Sequence, residues 1–150
     1  MAQSLSDIIL HIVFSTKDRN PWIDTAIQSE LNSYICTVSR NLECPVIQVN
    51  GVEDHIHILL LLSRTITVSK LINELKSNSS RWIKTKGTQF CEFAWQGGYG
   101  AFSVSRSSID AAISYIQNQK EHHKKISFKE EFLKLLKNSK VPYDEKYLWD

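Results

Sequence analysis

An α+β fold is what this sequence predicts: an antiparallel sheet in the order βαββαβ, helices packed on one face, and further helices at the C-terminal end. Three observations carry that expectation. Two runs of β-branched and large apolar residues are each followed by a segment with apolar residues at helical spacing. A short Asn-Gly-containing connection joins the middle two strands. The last quarter of the chain holds two serine-led, helix-forming segments and no strand signal apart from them.

The first strand is expected over Ser6–Thr16 (SDIILHIVFST), rich in residues that fit a pleated, half-buried surface. Asn20 and Pro21 supply an N-cap and a first-turn proline, and Ile23, Ile27, Leu31, Tyr34 and Val38 recur at helical spacing, so a helix is predicted from Pro21 to Arg40. Strands follow over Val46–Val52 and His55–Leu62. Their turn lies somewhere in Asn50–Asp54, where either Asn50-Gly51 or Glu53-Asp54 can form the tip. Thr67–Lys84 places Val68, Leu71, Ile72, Leu75, Ser79 and Trp82 on one helix face and Lys70, Ser77, Arg81 and Lys84 on the opposite one. A glycine-led strand is predicted over Gln96–Ser105. Ser107 and Asp110 form a capping-box pattern for a helix reaching His123, and Ser127 and Glu130 do the same for a helix ending near Lys137. The order is that of a ferredoxin-like sheet, which leaves one sheet face in need of a cover or a ligand.

At 150 residues with 42% hydrophobic side chains, the chain is long enough for one core, and residues 1–150 are expected to form a single domain. The N-terminal segment has no basic region before its apolar run and no small-residue cleavage pattern, unlike a signal peptide. The longest apolar run, Ile58 to Leu62, is far too short to span a membrane. Cys36, Cys44 and Cys91 make no CxxC pair, which fits a reducing, cytoplasmic setting with the thiols as small core residues. Net charge is only +2, but it is unevenly spread: residues 1–63 carry three basic and seven acidic side chains, residues 64–140 fourteen and six. Such asymmetry points to a polyanion-facing surface built by the second half, and solvated charged helices give similar counts.

Two constellations carry chemistry. In the third strand His55 and His57 project to one face, away from Ile56, Ile58 and Leu60, and two neighbouring imidazoles on one face can hold one metal ion. His-x-His is also met as ordinary polar strand residues, so a third ligand is needed. On the third helix Tyr115, Gln119 and His122 share an arc distinct from the apolar face of Ile109, Ile113 and Ile116, which fits either a functional face or a solvated one. Gly98-Tyr99-Gly100-Ala101-Phe102 partly mimics the aromatic string of RNA-recognition domains, so a non-catalytic RNA-binding module is an alternative; Gly97 stands where a basic residue is wanted and Ala101 breaks the aromatic spacing.

Five strings in order, HIVFSTKDRNPW, DHIHILL, FAWQGGYGAFSVS, YIQNQKEHH and VPYDEKYLW, resemble the small single-tyrosine HUH transposases of bacterial insertion sequences, and the resemblance runs from about Ile8 to Trp149. It implies a metal-dependent single-strand DNA endonuclease and strand transferase. His55 and His57 would be the HUH metal ligands, Tyr115 the nucleophile and Gln119 the third ligand. His122, His123 and Asp54 fall in the same motif surroundings and are given no chemical role. The implied ion is Mg²⁺, although imidazole ligands favour Mn²⁺, which should substitute for it. The implied partners are single-stranded DNA with hairpin ends and a second copy of the chain, whose tyrosine helix would complete the site in trans; no nucleotide cofactor and no membrane are expected. The basic stripe of Lys70, Arg81 and Lys84 is the expected DNA-binding surface. A domesticated relative that processes chromosomal repeat hairpins fits the same residues.

Overall fold

The computed structural model describes residues 2–150. Its four strands, β1 (Ile9–Ser15), β2 (Val46–Val52), β3 (His55–Leu61) and β4 (Gly100–Val104), form one antiparallel sheet in the order β2-β3-β1-β4. With α1 (Thr25–Asn41) between β1 and β2, and α2 (Val68–Lys84) between β3 and β4, this is the predicted βαββαβ unit. The strands alternate as their pleat requires. Leu10, Ile12 and Phe14 of β1 and Ile56, Ile58 and Leu60 of β3 join the main core with Ile27, Leu31 and Ile35 of α1 and Leu71, Ile72 and Leu75 of α2.

The C-terminal helices supply the cover that the other face needs. Ile116 of α3 (Ile109–Gln117) packs on Ile9 and Leu59, while Phe128, Phe132 and Leu136 of α5 (Phe128–Asn138) pack on Val13. The helices are therefore divided between both faces and not gathered on one. A sheet that binds RNA on an open aromatic face has no counterpart here, because α3 and α5 lie on that face.

Element boundaries differ from the sequence expectation wherever a distant residue decides them. α1 starts at Thr25, not Pro21. The amide of Ile23 donates to the Glu53 carbonyl at 3.0 Å, tying Asn20–Asp24 to the β2–β3 turn, and Asp24 then caps the helix by accepting from Ile27 N at 2.8 Å. Glu53-Asp54 forms the hairpin tip, while Gly51 stays in β2 opposite Ile56, where a Cβ would lie 2.3 Å from the His55 carbonyl oxygen. β4 begins at Gly100, after a segment held by the side chain of Gln96, which accepts from Ser15 N at 2.8 Å, and by Lys76, whose ammonium donates to the carbonyls of Gln96 and Gly98. Phe132 packs so closely on Gly100 that a Cβ there would lie 2.6 Å from its ring.

The third helix is shorter than predicted and broken. Ser107 and Ser108 spend their hydroxyls on Ser105 in a short 3₁₀ turn and form no capping box. At the other end Asn50 Nδ2 donates to the carbonyls of Ile116 and Gln117, and the chain turns at Asn118 before α4 (Gln119–His122). α2 and α5 start where predicted, because their caps are local: Thr67 accepts from Lys70 N, and Ser127 from Glu130 N. A last short helix, α6 (Glu145–Leu148), lies outside the predicted order; its Leu148 and the following Trp149 pack against α5.

Candidate active site

On the α3/α5 face, β1 and β3 run side by side with Val13 opposite His57 and Ser15 opposite His55. Alternation puts His55 and His57 on the same face as His11 and Val13, and all three imidazoles are buried. Each has a fixed neighbour. His55 Nδ1 lies 2.7 Å from Asp54 Oδ1, and His57 Nδ1 lies 2.7 Å from His11 Nε2.

Both Nε2 atoms are directed at the carboxylate of Glu131 on α5. Oε1 of that carboxylate lies 2.9 Å from His57 Nε2, 3.4 Å from His55 Nε2 and 3.1 Å from His123 Nε2. Oε2 accepts a hydrogen bond from the Tyr115 hydroxyl, and His122 Nε2 stands 3.2 Å from it without hydrogen-bond geometry. Gln119, fully buried at the start of α4, places Oε1 3.3 Å from His55 Nε2. The Tyr115 ring meets those of His57 and His11 edge-on, with centroids 5.8 and 6.0 Å apart.

The electrostatics follow from burial and this one carboxylate. Burial pushes His57 down to about 4 and His11 down to about 3, so both are neutral imidazoles at neutral pH. Burial acts against the His55 cation as well, but Asp54 and Glu131 outweigh it and raise His55 to about 9. Burial would raise Glu131, yet the three imidazoles bonded to it hold it far below the ordinary carboxylate range. Burial and the adjacent Glu131 push the Tyr115 phenol well above its usual value.

Thus the structure brings His55, His57, Tyr115 and Gln119 together within one chain. It does not bring Lys70, Arg81 and Lys84 to them. These three are exposed on α2, on the opposite side of the sheet; Lys70 pairs with Glu74 at 3.0 Å and Arg81 donates to Asn78 at 2.8 Å. Four further residues, Asp54, His123, His11 and Glu131, complete the cluster. Asp54 and His123 lie in the strings DHIHILL and YIQNQKEHH. His11 was signalled by alternation, which puts it off the core face of β1. Glu131 interrupts the apolar stripe of Phe128, Phe132 and Leu136, an unexpected place for a charge.

Solvent reaches the cluster from two sides. An open groove of about 470 Å³ runs past Gln28, Val52, Glu53, Lys120, His123 and Lys124. A smaller pocket of about 140 Å³ is lined by Tyr115, His122, Glu131 and Lys134. Among the described residues no helix is long and apolar enough to cross a membrane.

The model of the family described as transposase IS200 like matches residues 4–119. Solved structures of similar fold include the following two. One is a crystal structure from Deinococcus radiodurans R1 of a protein described as a candidate transposase, 18% identical with a TM-score of 0.62, covering 79% of this chain and 98% of that one. The other is a REP-associated tyrosine transposase bound to a REP hairpin, 14% identical with a TM-score of 0.61, covering 82% of this chain and 72% of that one. No curated protein matches the chain. The matched span includes β1, β3, Tyr115 and Gln119 and ends before His123 and Glu131.

Proposed function

We propose, from the premise that this chain belongs to the IS200-like transposase family, that it binds hairpin ends of single-stranded DNA and cleaves and rejoins the strand through a 5′-phosphotyrosine on Tyr115. The observation that carries this reading is convergence: the Tyr115 hydroxyl and the Nε2 atoms of His55 and His57 meet at one buried carboxylate.

In the reaction the phenol oxygen bonds to the scissile phosphorus and the bond from phosphorus to the 3′-oxygen breaks. The phenolic proton ends on the departing 3′-hydroxyl. One phosphodiester replaces another, so rejoining needs no nucleotide cofactor. Glu131 orients the hydroxyl. It does not deprotonate it at rest, because the carboxyl sits below its ordinary range and the phenol above, so the proton stays on Tyr115 until a phosphate enters. His11 fixes the plane of the His57 ring and Asp54 that of His55.

The donors suit a divalent cation: two imidazole nitrogens and the Gln119 amide oxygen, all buried, with Gln119 Oε1 3.3 Å from His55 Nε2. Bound there, Mg²⁺, or Mn²⁺ in its place, would supply Lewis-acid polarisation of the phosphate. The solved neighbour described as holding a REP hairpin supports a hairpin substrate. Whether that hairpin ends a mobile element or belongs to a chromosomal repeat is separated by binding the chain to oligonucleotides drawn from its own gene's flanks and from dispersed repeats.

Tyr115→Phe tests the reading. The change removes one oxygen and keeps the ring, so folding, metal binding and hairpin binding should persist. The denaturant-stable protein–DNA adduct and the free 3′-hydroxyl product should both vanish. Tyr34, Tyr99, Tyr143 and Tyr147 remain as internal controls. Adduct at wild-type yield would place the nucleophile elsewhere.

A further inference from the structure

Three imidazole nitrogens of this cluster converge on one carboxylate oxygen. His123 Nδ1 lies 2.9 Å from the carbonyl oxygen of Ile126, which only accepts, so Nδ1 carries the hydrogen. In a neutral ring Nε2 then presents a lone pair, and Nε2 is aimed at Glu131 Oε1, 3.1 Å away. His55 is oriented likewise: its Nδ1 faces the carboxylate of Asp54, and its Nε2 faces the same Oε1. Imidazole nitrogens gathered on one carboxylate oxygen, each ring held from its far nitrogen, match the arrangement of donors around a cation.

The four atoms are spaced for one. Donors about 2.0–2.2 Å from a tetrahedral ion lie about 3.3–3.5 Å from one another. Glu131 Oε1 is 2.9, 3.1 and 3.4 Å from the three imidazole nitrogens, and the donor atoms of His55, His57, His123 and Glu131 all lie within 4.8 Å of one another. The three separations from Oε1 fall within about half an ångström of that spacing.

We infer that His123 Nε2 and Glu131 Oε1 are metal donors in this protein, in addition to those expected from the HUH pattern. The inference rests on the proposed metal-dependent reaction and deepens it. Both residues lie beyond the span that matches the family, so the extra donors are contributed by the α4–α5 segment. Three imidazoles and one carboxylate, with the Gln119 amide oxygen beside them, favour a transition ion such as Mn²⁺, Co²⁺ or Zn²⁺ over Mg²⁺. Glu131 then bridges two tasks, holding the ion through Oε1 and the Tyr115 hydroxyl through Oε2.

The test is titration of the full chain with Mn²⁺ by calorimetry and with Co²⁺ by visible absorption, in the absence of DNA. Glu131→Gln and His123→Ala should each weaken Mn²⁺ binding at least about tenfold and change the Co²⁺ spectrum. Circular dichroism checks that each variant is folded; His123 is partly exposed and its loss is the milder change, so it keeps the test open if Glu131→Gln does not fold. Affinities within twofold of wild type for folded variants, with His57→Ala losing the ion, would overturn the proposal and reduce both residues to hydrogen-bond partners. So would Glu131→Gln that binds metal normally and forms more adduct, since Glu131 would then be a plug. Because the titration uses no DNA, its outcome is independent of the Tyr115→Phe adduct assay.

Discussion

Two carboxylates flank the His55 ring, Asp54 at Nδ1 and Glu131 at Nε2. His55 and His57 could be placed on one face from alternation alone, and Tyr115 and Gln119 together from helical spacing. Nothing local explains Glu131. A carboxylate in an apolar stripe is tolerated only because imidazoles from β3 and from the turn before α5 surround it, and that compensation appears in no window of the sequence. Asp54 is the clearest case of a residue acting through another, since it touches only the far nitrogen of His55. Asp54→Ala should leave the hairpin tip folded through its backbone bonds to Thr16 and Ile23, and lower Mn²⁺ affinity by about 10–100-fold. Calorimetry with Mn²⁺ checks this; unchanged affinity would show that His55 is positioned by its burial alone.

For whole elements, locally specified starts were read correctly and non-local ones were displaced. Thr67 and Ser127 cap their helices from within the next turn, so sequence suffices. The start of α1 depends on the Ile23–Glu53 bond, and the break after α3 on Asn50, both tertiary. The basic stripe of α2 was legible as a stripe, but its side of the sheet was not. Since it lies across the sheet from the tyrosine, a DNA strand gripped there must fold around the molecule to be cut, as a hairpin with a single-stranded flank would. Replacing Lys70, Arg81 and Lys84 together by Ala should weaken hairpin binding and flatten its salt dependence by up to roughly three units of log–log slope. A slope identical to wild type, measured by fluorescence polarisation over a salt series, would make the stripe a solvated face.

Across the molecule, the βαββαβ order followed from periodicity, whereas the division of helices between the two faces became clear only once α3 and α5 were seen to cover His11 and His57. That cover bears on assembly. Joining two DNA ends requires two nucleophiles, so a homodimer remains our reading, but Tyr115 lies beside its own chain's His57, which favours a site complete in cis. Mixing His57→Ala with Tyr115→Phe chains should then leave cleavage dead in demonstrated mixed dimers; recovery would mean exchange of the tyrosine helix between partners. The central position of β1 has another consequence. Its register joins Ile9 to Leu61 on one side and to Val104 on the other, and the carboxylate at His57 of the neighbouring β3 arrives only with α5. Such long sequence separations slow folding, because loop closure precedes the reward of contact. During synthesis a ribosome-bound chain ending before Ser127 already contains its HUH pair, its tyrosine and its glutamine, but not Glu131 and the rest of α5. The site is thus finished only by a segment made after all the residues of its family motif.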